Sequence, residues 1–248
     1  MKIALVQLDA DDALWRTAAI PTVLALSKAA DLVVFPECMP FYKVGKQAPS
    51  IKQACQLLTQ YTHKHSAFIA GGYVVEDEAL RNAAFLVYQG KIYGQYFKRI
   101  VWQDEPIVVG SSAVRFEWGA HKACIPLICA DAAENPTPVG TCMMYEAIQL
   151  GANSDTPIVV PSYSAGLTQA MWREALYFWS TGCGAPVAIC GISGQSRVTY
   201  QDGDVRKHYG GGGSAVFWPD GSRTRQSSKR GIYIVDTTTG ISEYRRLP

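Results

Sequence analysis

Three reactive side chains of different chemical types each follow an apolar run of the sequence. Glu37 comes after LVVF, Lys98 comes after IYGQYF, and Cys129 comes after ACIPLI. Short apolar runs are typical of buried strands, and open α/β sheets bind their ligands beyond strand ends. A carboxylate, an ammonium and a thiol together supply what nucleophilic attack on an amide or nitrile carbon requires. We therefore predict that these three side chains form a catalytic set.

The thiol of this set needs the other two residues in order to react. A free thiol has a pKa of about 8.5, so a nearby cation or base must favour the attacking thiolate. Lys98 and Glu37 suit these two roles. Taken singly, Lys98 also fits an exposed charge at a strand edge, and Glu37 fits a solvated loop or the start of a helix. The combination of the three points to catalysis.

Cys129 is one of seven cysteines, at positions 38, 55, 124, 129, 142, 183 and 190. Their number is odd, they lie in or beside apolar runs, and neither CxxC nor a Cys/His ligand spacing occurs. The pattern indicates no disulfide framework and no zinc site. Most of these thiols are expected to be small buried hydrophobes in a reducing compartment.

Composition restricts the class of protein. With 248 residues and 48% apolar content, the chain is long enough for a sizeable core, and we predict one domain over 1–248. Lys and Arg number 23 against 21 Asp and Glu, without a basic run, so no nucleic acid partner is expected. The N-terminal apolar run is too short for a signal peptide or a membrane span, which predicts a cytoplasmic protein without a membrane partner.

The elements that must position the three residues follow from the spacing of apolar residues. In the first half we predict strands over 2–8, 31–35, 67–75, 82–88 and 92–97, and helices over 13–30 and 51–64. Gln89-Gly90-Lys91 is predicted to turn a hairpin between the last two strands. The second half repeats this alternation of strands and helices, with strands over 123–129, 157–160, 186–191, 214–218 and 231–236 and helices near 142–150 and 168–181. It also contains a polar stretch at 197–208. Two similar halves predict two sheets packed together.

Six segments resemble the nitrilase (carbon–nitrogen hydrolase) superfamily. FPE ending at Glu37, YFKR around Lys98 and ICAD around Cys129 resemble its three signature segments. KIALVQL at the N-terminus, RNAA at 81–84 and GGGGSAVFWPDG at 210–221 also resemble family segments, in the family order. The resemblance implies an α/β fold, a four-layer α-β-β-α sandwich of two mixed six-stranded-type sheets flanked by helices. It also implies a homodimer or larger homo-oligomer that packs helix layers together.

The resemblance adds a second glutamate to the set. The family has a glutamate followed five residues later by a glycine, and Glu105 with Gly110 fits that pattern. We therefore expect Glu105 to be a positioning carboxylate, with the neighbouring Asp104 as the alternative.

A mechanism is also implied by the resemblance. Glu37 takes the proton of Cys129, the thiolate attacks the substrate carbon, and water activated by a glutamate hydrolyses the resulting thioester. Lys98 and the backbone N–H of Ala130 bind the developing oxyanion. This chemistry needs no metal and no organic cofactor, and we expect neither.

The sequence departs from the family beside the nucleophile. Residues 130–136 read ADAAENP, without the arginine and aromatic residues that are common there, and 177–184 read YFWSTGCG instead of an arginine-rich helix. These changes alter the expected wall of the pocket, so the sequence does not identify the substrate. Four aromatic residues are candidates to line the pocket, each of which also suits a core position: Tyr42, Trp102, Tyr163 and Trp172.

Other catalytic patterns fit less well. A papain-like enzyme needs a histidine beside its thiol, and none of the histidines at 63, 65, 121 and 208 stands in a recognisable signature. The segment PSYSAG at 161–166 has Ser162 where the GxSxG turn of serine hydrolases requires its first glycine. The glycine clusters lack the Lys-Ser/Thr ending of a phosphate-binding loop.

Within the resemblance, we favour hydrolysis of a small amide. A nitrilase, an N-carbamoyl amidohydrolase and an acyl transferase would use the same residues, so the expected partner is a small-molecule amide or nitrile. The alternative of a different class is a catalytically silent binding or assembly module on the same fold.

Overall fold

The computed structural model describes residues 1–9, 19–43, 47–61, 66–102, 104–133, 138–163, 169–193, 195–199, 205–209, 213–224 and 229–247. Of residues 169–171, 195–199 and 205–209 it describes the backbone alone. The helices are α1 Ile20–Leu26, α2 Ile51–Leu58, α3 Ala130–Ala133, α4 Pro138–Gln149 and α5 Gln169–Cys183. The strands are β1 Lys2–Asp9, β2 Leu32–Val34, β3 Pro40–Phe41, β4 Ala67–Glu76, β5 Ala79–Tyr88, β6 Lys91–Phe97, β7 Phe116–Trp118, β8 Lys122–Pro126, β9 Ile158–Pro161, β10 Val187–Cys190, β11 Ile192–Ser193, β12 Gln195–Thr199, β13 Val205–Tyr209, β14 Ala215–Phe217, β15 Gly231–Asp236 and β16 Ser242–Arg245.

The first sheet has nine strands in the described part of the chain. Seven follow the order β16-β15-β1-β2-β4-β5-β6, while β3 pairs with β4 and β11 pairs with β1. β1, β2 and β4 are parallel, and β5 and β6 are each antiparallel to the strand before them. β2 and β6 therefore run in the same direction, and β5 runs against them. The ends of β2 and β6 and the start of β5 consequently share one edge of the sheet.

The second sheet has five described strands in the order β14-β10-β9-β8-β7. β8, β9 and β10 are parallel, and β7 and β14 close the two sides antiparallel to their neighbours. The chain passes from this sheet to the first at Gly191, because β10 pairs with β9 whereas β11 pairs with β1. β12 and β13 form a separate hairpin.

The two sheets pack face to face around the larger core. Successive residues of β1 show the arrangement: Ile3 and Leu5 belong to the core between the sheets, whereas Ala4, Val6 and Leu8 belong to a second core. This alternation is expected, because neighbouring side chains of a strand point to opposite faces. The second core lies beneath α1 and α2, whose buried residues include Val23 and Ala54.

The fourth layer is formed by α4 and α5 on the outer face of the second sheet. Met143 of α4 and Leu176 and Trp179 of α5 are buried in the same core as the strand residues Val159 and Val187. The order of layers is thus helices, sheet, sheet, helices.

Local sequence explains several element boundaries. α2 begins with a capping box in which Ser50 accepts a hydrogen bond from the Gln53 N–H and the Gln53 side chain accepts one from the Ser50 N–H. The β5–β6 hairpin turns at Gln89 and Gly90, which both have positive φ. That conformation is the one two-residue hairpin turns favour, so the predicted hairpin is confirmed.

The α/β class and the two packed mixed sheets are confirmed, although the strands in the described ranges divide nine and five instead of six and six. The predicted strand 123–129 is too long, because β8 ends at Pro126. The polar stretch 197–208 contains residues of the β12–β13 hairpin, which was not predicted. The first part of the helix predicted over 13–30 and the end of that predicted over 51–64 lie outside the described residues. One domain over 1–248 stays a prediction.

Within the described ranges, none of the helices has the length and apolarity needed to cross a membrane.

Candidate active site

Glu37 lies just beyond the end of β2 and is buried, with 5% of its surface exposed. Its Oε1 accepts hydrogen bonds from Lys98 Nζ at 2.9 Å and from Asn82 Nδ2 at 2.9 Å. Its Oε2 accepts a hydrogen bond from the Tyr163 N–H at 2.8 Å. Every one of these donors comes from a different segment, so the carboxylate is fixed from several sides.

Lys98 follows β6 at the same edge of the sheet and is only 2% exposed. Its Nζ lies 2.9 Å from Glu37 Oε1 and 2.7 Å from Glu105 Oε2. Burial by itself lowers the pKa of a lysine, but the charges of Glu37, Cys129 and Glu105 outweigh burial here and raise the pKa of Lys98 well above its ordinary value. The site therefore holds a permanent ammonium between two carboxylates.

Glu105 is the second carboxylate, as the sequence pattern predicted. In addition to Lys98, it accepts hydrogen bonds at Oε1 from Asn82 Nδ2 at 2.9 Å and from Tyr73 Oη at 3.1 Å. Gly110 explains the accompanying glycine: its N–H donates to Lys98 O at 2.8 Å, and a Cβ at this position would lie 2.5 Å from the carbonyl oxygen of Phe97. A side chain at position 110 would thus push the segment away from the strand that carries Lys98.

Asn82 links the two carboxylates, a role that sequence reasoning missed. It is 1% exposed, and its single Nδ2 donates to both Glu37 and Glu105. Asn82 lies near the start of β5, which runs antiparallel to β2 and β6 and therefore begins at the edge where they end. The signal was present in RNAA at 81–84, but sequence alone assigned that segment no function.

Cys129 occupies a sharp turn between the second sheet and α3. Its φ is 44°, in the left-handed region that residues other than glycine rarely adopt. Its N–H donates to Pro161 O at 2.9 Å, and its Sγ accepts a hydrogen bond from Ser162 Oγ at 3.4 Å. The Ala130 N–H, at the start of α3, has no acceptor in the described part of the chain. The turn thus presents both the sulfur and a free backbone donor.

The Cys129 thiol requires a base. Burial, followed by the charge of Glu37, raises the pKa of Cys129 far above its ordinary value, and Lys98 and Ser162 only partly counteract this. At neutral pH the sulfur is therefore protonated, and Glu37 is the carboxylate whose charge acts on it.

Asp131 ties the turn of Cys129 to the segment that follows Lys98. Its Oδ1 accepts from the N–H groups of Arg99 at 2.9 Å and Ile100 at 2.8 Å, and its Oδ2 accepts from Tyr96 Oη at 2.7 Å and the Ile128 N–H at 3.0 Å. Burial raises the pKa of Asp131 to about 6 even though these four donors favour the carboxylate. The ICAD segment contained this residue, but its role depends on contacts with residues about 30 positions away.

The four aromatic candidates lie in different places. Trp102 and Tyr163 are half-buried and touch the carboxylates through their backbone N–H groups, Trp102 at 3.4 Å from Glu105 Oε2 and Tyr163 as described above. Tyr42 is 51% exposed. Trp172 is buried in the core with α5 and the second sheet. Two of the four therefore adjoin the site, while part of the surrounding segment, at 164–168, lies outside the described residues.

No group of three or more His, Cys, Asp or Glu side chains is placed to hold a metal ion in the ranges that the structure describes.

Neither a protein-family model nor the sequence of a curated protein matches the chain. Solved structures do resemble it. A variant of the amidase from Nesterenkonia sp. AN1, showing the Michael addition of acrylamide at its active-site cysteine, has 21% sequence identity and a TM-score of 0.77, over 95% of this chain and 92% of that one. A cysteine-to-alanine variant of the same amidase, described as from the nitrilase superfamily, has 21% identity and a TM-score of 0.74, over 95% of this chain and 90% of that one.

A larger enzyme is also similar. The glutamine-dependent NAD⁺ synthetase from Acinetobacter baumannii has 17% identity and a TM-score of 0.71, and the match covers 100% of this chain but 48% of the synthetase. All three likenesses extend over nearly the whole of this chain and include both sheets. The chain therefore has the fold of the nitrilase-superfamily amidases.

Proposed function

We propose that the chain is a carbon–nitrogen hydrolase of the nitrilase superfamily that hydrolyses a small, non-peptide amide through a thioester on Cys129. The observation that carries the proposal is the buried Lys98 ammonium, bonded to both Glu37 and Glu105 and facing the Cys129 thiol. A lysine held this way is costly to bury for structural reasons alone. The amidase from Nesterenkonia sp. AN1, which shares the fold, has an active-site cysteine that reacts with acrylamide.

The first half-reaction begins with proton transfer from Cys129 to Glu37, the carboxylate whose charge acts on the thiol. The thiolate then attacks the amide carbon, and the carbonyl oxygen gains negative charge. Lys98 Nζ and the Ala130 N–H bind this oxygen, each well-aimed donor being worth roughly 3 to 4 kcal/mol in other enzymes. Collapse of the intermediate expels ammonia or an amine, which takes its proton from Glu37, and the acyl group remains on sulfur.

Glu37 also activates the water of the second half-reaction. Glu105 already accepts four hydrogen bonds, from Asn82, Tyr73, Lys98 and the Trp102 N–H, and is thereby suited to holding Lys98 in place. Glu37 faces the sulfur and so lies next to the thioester carbon. It takes a proton from water as the hydroxide adds to that carbon, and it returns the proton to the departing sulfur. The products are a carboxylic acid and the free thiol.

The test is ammonia release across a panel of small amides, N-carbamoyl compounds and nitriles, combined with intact-protein mass spectrometry. Cys129→Ala and Cys129→Ser are expected to abolish turnover, and the wild type is expected to gain the mass of an acyl group with a good amide. Cys142→Ser is the matched control, because Cys142 is an exposed thiol on α4 and should be dispensable.

Each other outcome contradicts the proposal in a distinct way. Full activity of Cys129→Ala would remove the nucleophile from the mechanism. Acid formation from nitriles with no action on amides would favour a nitrilase, and turnover limited to N-carbamoyl compounds would favour that class. Silence of the whole panel together with no acyl-enzyme would favour a binding or assembly module.

We also infer that the chain forms a homodimer through the helix layer formed by α4 and α5. α4 exposes Val139, Tyr145 and Ile148, and α5 exposes Phe178, which together give this layer an apolar surface. Exposed apolar patches of this kind favour association. Light scattering after gel filtration should give twice the mass of the chain, and Tyr145→Asp should shift the protein towards monomer. A wild-type monomer at micromolar concentration would contradict this inference.

A further inference from the structure

Residues 161–163, at the end of β9 and just beyond it, contact both partners of the proposed proton transfer. Pro161 O accepts from the Cys129 N–H at 2.9 Å, Ser162 Oγ donates to Cys129 Sγ at 3.4 Å, and the Tyr163 N–H donates to Glu37 Oε2 at 2.8 Å. In the sequence, this segment resembles the turn of a serine hydrolase but lacks the first glycine of that turn. Its serine nevertheless touches the sulfur that is to react.

Ser162 is held in place independently of the sulfur. It is fully buried, and its N–H donates to Cys190 O at 2.8 Å on the neighbouring strand β10. The backbone therefore fixes the position of the hydroxyl before any substrate binds. A buried hydroxyl prefers to keep a hydrogen-bond partner, and the structure gives it Cys129 Sγ.

The charges around Cys129 leave the thiolate with few donors. Among the residues that the structure describes, the titratable groups that face it are Glu37, Lys98 and the buried thiol of Cys38, with Glu105 behind Lys98. Lys98 is the single cation among them, and its ammonium is already bonded to two carboxylates. A thiolate formed here needs a further donor that carries no competing partner.

We propose that Ser162 is a further catalytic residue, whose hydroxyl binds the Cys129 thiolate and holds the sulfur next to Glu37. This inference rests on the proposed function. In the resting site the protonated sulfur accepts a hydrogen bond from Ser162. When the proton moves from sulfur to Glu37, the Ser162 hydroxyl keeps its own proton, and its hydrogen bond becomes one to a charged acceptor, which is the stronger kind.

The experiment measures the rate constant for alkylation of Cys129 by iodoacetamide at about pH 8, because only the thiolate reacts at an appreciable rate and the raised pKa of this thiol makes the rate proportional to its thiolate fraction there. Peptide mass spectrometry follows each cysteine separately. In Ser162→Ala the rate constant for Cys129 is expected to fall by roughly 10- to 100-fold, since a hydrogen bond to a charged group is worth a factor of this size.

Two controls separate this effect from a general disturbance. The half-buried Cys55 of α2 is alkylated in the same sample and should keep its rate constant in both proteins. Ser180→Ala removes an equally buried hydroxyl that donates to Ala185 O and Phe217 O, away from the sulfur, and should leave the rate constant for Cys129 unchanged. Ser162→Thr keeps a hydroxyl and should restore most of the wild-type behaviour.

An unchanged rate constant for Cys129 alkylation in Ser162→Ala would overturn the proposal, as would an equal fall in Ser180→Ala. The measurement needs no amide substrate. If Ser162→Ala slows alkylation of Cys129 but the wild type hydrolyses no amide, the proposed function alone is contradicted. If the wild type hydrolyses an amide but Ser162→Ala does not slow alkylation, this inference alone is contradicted.

Discussion

The strongest test of how the site is assembled is the substitution Asp131→Asn. Asp131 presents two oxygens to four donors, two at each oxygen, whereas asparagine has one oxygen and one NH₂ group. If the amide nitrogen replaces Oδ1, it faces the N–H groups of Arg99 and Ile100. If it replaces Oδ2, it faces the Ile128 N–H and the Tyr96 hydroxyl, which can turn and accept. The second orientation is the less costly, and it leaves one buried N–H without an acceptor.

The cost follows from that orientation. One unpaired buried N–H costs about 1 to 3 kcal/mol, and the remaining bonds lose the strength that the charge of the carboxylate gives them. We therefore expect Asp131→Asn to lower the free energy of unfolding by about 2 to 4 kcal/mol. Because Asp131 joins the turn of Cys129 to the segment after Lys98, a small displacement between them should also lower kcat by roughly 100-fold.

Urea unfolding followed by tryptophan fluorescence measures the first quantity, and steady-state ammonia release measures the second. The comparison is made at about pH 8, where Asp131 is ionised because burial places its pKa at about 6. Tyr96→Phe is the matched control: it removes one donor and leaves every N–H paired, so it should cost only about 1 kcal/mol. A loss below about 0.5 kcal/mol for Asp131→Asn would refute the reasoning, because it would mean that the four donors are satisfied without the carboxylate.

Three further predictions concern charged groups. Asn82→Ala removes the donor that both carboxylates share, so Glu37 and Glu105 should lose their alignment and kcat/KM should fall by roughly 10- to 100-fold; an unchanged kcat/KM would exclude this role. Glu105→Gln leaves Lys98 with one carboxylate and should reduce kcat by roughly 100-fold with little change in KM, and equal loss in both would indicate a role in substrate binding instead. At Asp31, burial raises the pKa, but hydrogen bonds from Lys122 and the Lys2 N–H bring it below the ordinary value. Its contribution to stability is therefore present above the unfolded-state pKa and lost as pH falls through the folded-state pKa, so Asp31→Asn should cost about 1 kcal/mol at neutral pH, and urea titrations should show this cost disappearing as pH falls through the folded-state pKa.

The sequence identifies those candidate residues whose side-chain type and position next to an apolar strand can be read from a short stretch of the chain. Glu37 and Lys98 follow apolar strands that end at one edge of a sheet, and the structure places their charged groups 2.9 Å apart. Glu105 was implied by the resemblance to the family, in which a glutamate precedes a glycine by five residues, and the position of Gly110 reflects a local backbone contact. The helices and long strands were predicted for the same reason, since their apolar periodicity lies within a short stretch of sequence.

The residues it missed act through contacts between distant segments. Asn82 reaches Glu37 across 45 positions, and Ser162 reaches Cys129 across 33, so each depends on which strands lie side by side. The missed hairpin β12–β13 and the strand β16 read QSRVT, VRKHY and SEYR, which lack the apolar alternation on which strand prediction relies. The strand before Cys129 was extended too far because residues 127–129 are as apolar as a strand but leave the sheet to form the turn.

The left-handed backbone at Cys129 affects the conformational stability of the protein and the choice of an inactive variant. An L-residue in that conformation costs roughly 1 to 2 kcal/mol more than glycine. The nucleophile thus occupies the position at the expense of conformational stability, and glycine there would relieve the strain while removing the sulfur. Cys129→Gly should accordingly melt at a higher temperature than Cys129→Ala, which makes it the better inactive protein for trapping an intact amide in crystals.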